Sequence, residues 1–202
     1  MAVRSGIRLD FDLYADRDVA EKVAAIQSYG PQATDAVIRA VNRAVRKTAR
    51  WLKGKLSRAA YNALSLKRVG LLAQTKRIAV KQRKGGQAWL WIGTSNMPAH
   101  YFRNPRWQRK WKGGAKFTAK GQRQQVAGSF IARYGDEKKA VLIRSTDKAY
   151  PIKFVPVEVH EEMEDLIQRL IPQAREQFVR IAQQELNYEL MKLRGVIKSG
   201  RR

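Results

Sequence analysis

Hydrophobic and polar positions alternate from the first residues of the chain. Val3, Ile7, Leu9, Phe11 and Leu13 are interleaved with Arg4, Gly6, Arg8, Asp10 and Asp12, which predicts a half-buried strand arm over about residues 1–15. The period then lengthens. Asp18 and Glu21 have the spacing of a capping box, and Val19, Val23 and Ile26 share a helical face, so a short helix should run to about Gln27 and stop at Tyr29-Gly30-Pro31. From Ala33 to Ala60, Val37, Val41, Val45, Leu52 and Leu56 recur at helical spacing and predict the longest helix. Ser65 is placed to cap a following helical turn through Leu66, Val69 and Leu72.

After Gln74 the period is two. Thr75–Gln82 and Gln87–Gly93 read as strands joined by a tight turn at Lys84-Gly85-Gly86. In the second, Ala88, Leu90 and Ile92 face one way and Trp89 and Trp91 the other, so the strand is either covered on both sides or meets another subunit. Val126–Tyr134 and Lys139–Ser145 flank a turn at Gly135-Asp136, and Tyr150–Val157 is a further strand that Pro151 and Pro156 confine to an edge. Residues 158–194 are helical again, with Pro172 as a kink or restart. The expected architecture is one α+β domain over residues 1–202: an antiparallel sheet of about five strands, a long helix in the amino-terminal half, carboxy-terminal helices, and a basic, aromatic-rich loop at about 101–125.

Charge changes this picture. The chain of 202 residues has 41 Lys and Arg against 17 Asp and Glu, a formal net charge of +24. No acidic residue lies between Asp35 and Asp136, and that interval holds 24 of the 41 basic ones. The long helix carries Arg39, Arg43, Arg46, Lys47, Arg50 and Lys53, and beyond Asp35, four residues before Arg39, no acid stands at i to i+4 spacing. Residues 101–123 then set Arg103, Arg106, Arg109, Lys110, Lys112, Lys116, Lys120 and Arg123 among Tyr101, Phe102, Trp107, Trp111 and Phe117. Cations neutralise phosphates and aromatic rings stack on bases, so this composition suits a sequence-tolerant nucleic-acid contact. Trp107 and Trp111 could equally pin a basic loop onto its own sheet or onto a second subunit, since aromatic residues and Arg are also enriched in protein interfaces. Either way an anionic partner, nucleic acid or acidic protein, is expected.

Little else carries chemistry. Cys is absent and His100 and His160 are the only histidines, which leaves no thiolate nucleophile and no metal or cofactor site with a specific spacing. Glu158, Glu161, Glu162, Glu164 and Asp165 crowd a helix start, where the macrodipole favours them. Gly85-Gly86 and Gly113-Gly114 lack the Lys-Ser/Thr of a phosphate-binding loop. An enzyme is not expected. The amino terminus lacks an apolar signal core and no apolar run is long enough to span a bilayer, so the expectation is a soluble protein made in a reducing cytoplasm, without a membrane partner.

Four blocks, in order, carry a resemblance: Ala40-Val41-Asn42-Arg43-Ala44 with its basic continuation; Leu64-Ser65-Leu66-Lys67; Gly128-Ser129-Phe130-Ile131-Ala132 followed by Ala140-Val141-Leu142-Ile143-Arg144; and Pro151-Ile152 leading into the last helices. On these the chain resembles the minor tail protein Z family, the tail completion proteins of long-tailed bacteriophages. The resemblance implies a structural virion protein at the head-proximal end of the tail, assembled in the host cytoplasm. It also implies a homo-oligomeric ring, such as a hexamer, beside tail terminator, tape measure or neck proteins, in non-specific contact with genomic DNA. The alternative from composition is a stand-alone, sequence-nonspecific nucleic-acid-binding protein.

Overall fold

The computed structural model describes residues 16–82, 88–107, 113–135, 137–146 and 150–196; the expected strand arm over 1–15 and the turn at 84–86 lie outside them. The architecture is α+β. The described elements fall into two compact units, one mainly helical and one mainly of sheet.

The helical unit contains helix α1 (Arg17–Gln27), residues 34–55 of helix α2 (Thr34–Ala63) and residues 168–193 of helix α4 (His160–Leu193). The cap of α1 is Asp16, two residues before the expected Asp18: its Oδ1 accepts the Val19 N–H at 3.0 Å and so satisfies one of the otherwise orphaned first-turn donors. Val19, Val23 and Ile26 are buried together with Ala36, Ala40, Ala44 and Val45 of α2 and Phe178, Ile181, Ala182, Leu186 and Leu190 of α4. Small residues of α2 and larger ones of α4 thus share one core. In place of separate carboxy-terminal helices there is one helix with Pro172 inside it. Strands β1 (Ile78–Gln82) and β2 (Ala88–Ile92) form a two-stranded sheet, most of which belongs to this unit.

The sheet unit spans Leu56–Ile78 and Ile92–Ile167. The single sheet of about five strands expected from alternation is here three small antiparallel sheets. Strand β3 (Met97–Pro98) pairs with β10 (Pro156–Val157). Strands β4 (Arg103–Trp107), β5 (Ala115–Ala119) and β6 (Gln122–Val126) form the second, in that order. The third is β7 (Ser129–Tyr134), β8 (Glu137–Arg144) and β9 (Ile152–Phe154). The strand expected over 150–157 therefore splits at Val155 and serves two sheets. The basic loop expected at 101–125 is largely strand. Its period of two is carried by Ala115, Phe117 and Ala119, buried, against half-buried Lys116 and Thr118.

The bend after α2 is built on Ser65, whose φ is 58°. Ser65 does not cap the short helix α3 (Leu71–Gln74); its hydroxyl accepts the Gly121 N–H at 2.9 Å. Lys120 and Gly121, with φ of 54° and 74°, make the two-residue turn between β5 and β6. The Lys120 N–H donates to the Leu64 carbonyl and the Arg103 N–H to the Ser65 carbonyl. A buried polar bend thus fixes where β4, β5 and β6 sit within the unit. Among the described residues no helix is long and apolar enough to cross a membrane.

Candidate polyanion-binding surface

The basic face of α2 is not free. Arg43 Nε lies 2.5 Å from Glu185 Oε2 and Arg43 Nη2 lies 2.6 Å from Glu189 Oε1; Lys47 reaches Glu185 Oε1 at 2.5 Å and Arg39 reaches Glu189 Oε2 at 3.4 Å. Lower residues of α2 pair with higher residues of α4, so the two helices run antiparallel here. Burial works against charge on both sides of this network. At Glu185 it is outweighed by hydrogen bonds from Lys47 and Arg43, which hold the carboxyl below its ordinary value; at Arg43 it is outweighed by the two glutamates, which raise the guanidinium above its own. The expectation that Arg39, Arg43 and Lys47 await an outside anion is corrected: their counter-charge comes from α4. Arg46 and Arg50 remain exposed, and Arg46 donates to the Asn42 carbonyl of its own helix.

Two further candidates in the sheet unit are committed internally. Lys120 lies 2.5 Å from Glu162 Oε1, and Arg103 donates to the Leu66 carbonyl while its guanidinium sits 4.5 Å over the Tyr61 ring. Three candidates that are left, Arg106, Lys116 and Arg123, lie in the sheet β4–β5–β6. Arg106 is the cross-strand partner of Lys116, which is opposite Gln125; one row along, Thr118 lies between Arg103 and Arg123. Cross-strand partners point to the same side of a sheet, so these two rows share the face opposite buried Ala115, Phe117 and Ala119. The register is kept in phase by a bulge between Arg103 and Arg106, where Asn104 has φ of 53°. Among the described residues no carboxylate is paired with Arg106, Lys116 or Arg123. No family model, curated protein or solved structure matches the chain.

Arg109, Lys110, Trp111 and Lys112 lie outside the described residues, as do the side chains of Trp89 and Trp107; Trp91 is half-buried. At the acidic start of α4 two side chains are engaged within the fold. Glu162 is bound to Lys120, and His160 holds Thr94 Oγ1 at 3.0 Å and Glu164 Oε1 at 3.2 Å. Among the described residues no group of three His, Asp or Glu side chains could hold a metal.

Sequence reasoning did not single out Glu185 and Glu189. A signal was there: they sit four apart on the same stripe of α4 as Ala182, Leu186 and Leu190, and a carboxylate on an apolar helical face requires a cation from elsewhere in the fold. Buried His100 was also passed over. Among the described residues its two ring nitrogens have no hydrogen-bond partner, Glu137 Oε1 is 3.9 Å from Nε2, and burial lowers its pKa against the pull of that carboxylate.

Proposed function

We propose that the chain is a structural virion protein of the tail-completion class, a non-enzymatic component that joins the head-proximal end of a phage tail. It works by oligomeric assembly, with a cationic surface set against the genome end. The reading is supported by the order of the sequence blocks, and the observation that carries it is what remains after internal pairing. Glutamates neutralise Arg39, Arg43, Lys47 and Lys120, while Arg46, Arg50, Arg106 and Arg123 stay exposed without a carboxylate among the described residues. A net charge of +24 in a confined assembly needs a polyanion or acidic neighbours to offset it. Tail terminator, tape measure or neck proteins are the neighbours this role implies, and a closed ring of identical subunits is its natural form.

Electron microscopy of the purified protein mixed with incomplete tails tests it. A ring or cap at the upper end of the tail is expected; a monomer that never associates with tails overturns the reading. The second reading, a stand-alone nucleic-acid-binding protein, is favoured by the same exposed cations and would bind free duplex without any tail component.

A further inference from the structure

We infer that the solvent-facing side of the β4–β5–β6 sheet is the surface that grips a nucleic-acid phosphate backbone, and that it does so without reading base sequence. The inference rests on the reading above that a cationic surface of this protein meets nucleic acid, and it assigns that role to particular residues.

Arg106 and Lys116 are direct cross-strand partners, and like charges so placed destabilise a sheet. Their repulsion is not relieved by a carboxylate among the described residues, in a unit that elsewhere supplies Glu162 to Lys120 and Glu137 to Lys67. An anion laid across the strands would remove that cost. The composition of the face selects the kind of anion. Arg123 stands one row along and two strands over, with Thr118 and Gln125 between the cations. Neighbouring strands are about 4.8 Å apart, so the cations span about 10 Å in two dimensions; the Thr118 hydroxyl suits a phosphate oxygen, while the Gln125 amide already donates to the Gly113 carbonyl. A protein partner would be expected to find an apolar or aromatic anchor at the centre of the contact. Ala115, Phe117 and Ala119 point the other way into the core, and the ring beside these rows, Tyr61, is held against the Arg103 guanidinium at the edge strand rather than at the centre.

The test uses the full chain, two fluorescent duplexes of unrelated sequence, and polyglutamate as a stand-in for an acidic protein. Three phosphates released from their counterions contribute a slope of about −2.7 in log affinity against log salt. The triple variant Arg106→Gln/Lys116→Gln/Arg123→Gln should lose about that much slope on both duplexes, while Arg46→Gln/Arg50→Gln should lose less. Exchanging the three cations for one another, R106K/K116R/R123K, should restore the slope, since position and charge rather than a bidentate fork are needed. Thermal unfolding of the glutamine triple should stay at or above the wild-type midpoint, because a repulsive pair is gone. The assignment is overturned by an unchanged slope in the triple, by a loss confined to the helix variant, by a wild-type chain that does not bind duplex at all, or by a defect seen with polyglutamate alone. If the triple loses duplex binding but wild-type protein never joins a tail, the surface assignment stands and the virion role fails. Normal tail joining with an unaltered slope in the triple gives the reverse.

Discussion

At the level of single residues, the fate of a charge is decided by where its partner lies in the fold. Arg43 and Glu189 are 146 positions apart, so no local window could reveal that a basic helix face is already neutralised. Removing one member leaves part of the network uncompensated. Glu189→Gln should cost at most about 3 kcal/mol in urea unfolding, the lower end for a broken buried pair, because Arg43 keeps Glu185 and, 28% exposed, recovers part of its hydration. Replacing Arg43, Glu185 and Glu189 together by Leu or Met should cost far less than the single change, since no buried charge is then left alone. Glu185 is held below its ordinary value, so its contribution is complete above the usual carboxylate range of about 4.3 and is lost as pH falls through the depressed folded value. His100 adds an earlier acid sensitivity. Its folded pKa is lowered by burial, with Glu137 opposing and Lys67 reinforcing the shift, and Tyr101 and Phe154 pack on its ring. The unfolded chain therefore takes up a proton first, and stability should begin to fall as pH drops below about 6.5. His100→Leu should flatten that part of a pH–stability curve measured between pH 8 and 5; an unaltered curve would refute the assignment of that proton to His100.

At the level of elements, periodicity found helices well and sheets poorly. The 3.6-residue stripe of α2 extends over thirty residues and averages out local noise, so Ala33–Ala60 differs from Thr34–Ala63 only at its ends. Alternation in β5 lasts five residues, too short to outweigh the surrounding lysines and glycines. Nor does alternation say which strand pairs with which, and five expected strands became three small sheets and a two-stranded pair. What fixes the pairing is geometry at a few turns. Gly114 has φ of +67°, and a Cβ there would sit 1.8 Å from the Val126 carbonyl oxygen, whereas Gly121, at +74°, has open space around it. Gly121→Ala should therefore cost only left-handed strain, about 1–2 kcal/mol. Gly114→Ala must also push apart two backbones and should cost more, with calorimetry of the two variants side by side as the measurement. Equal losses would show that the Gly114 turn yields freely.

At the level of the whole molecule, net charge and fold stability pull against each other. The +24 is the excess left after every carboxylate is counted, so no internal pair offsets it and self-repulsion should dominate at low ionic strength. Raising NaCl from about 0.01 M to 0.15 M shortens the Debye length from about 30 Å to 8 Å, and the thermal midpoint should rise; a fall would mean that the buried α2–α4 pairs outweigh the surface charge. The sequence by itself determined the α+β class, the main helices and the concentration of positive charge between Asp35 and Asp136, because these follow from periodicity and composition, which are local or additive. Only the tertiary structure decided which cations are available. Pairing Arg39, Arg43 and Lys47 with two glutamates from the far end of the chain, and lining up Arg106, Lys116 and Arg123 across three strands, are both matters of distance in space. Coulomb energy and hydrogen bonding depend on that distance, whereas position along the chain does not report it.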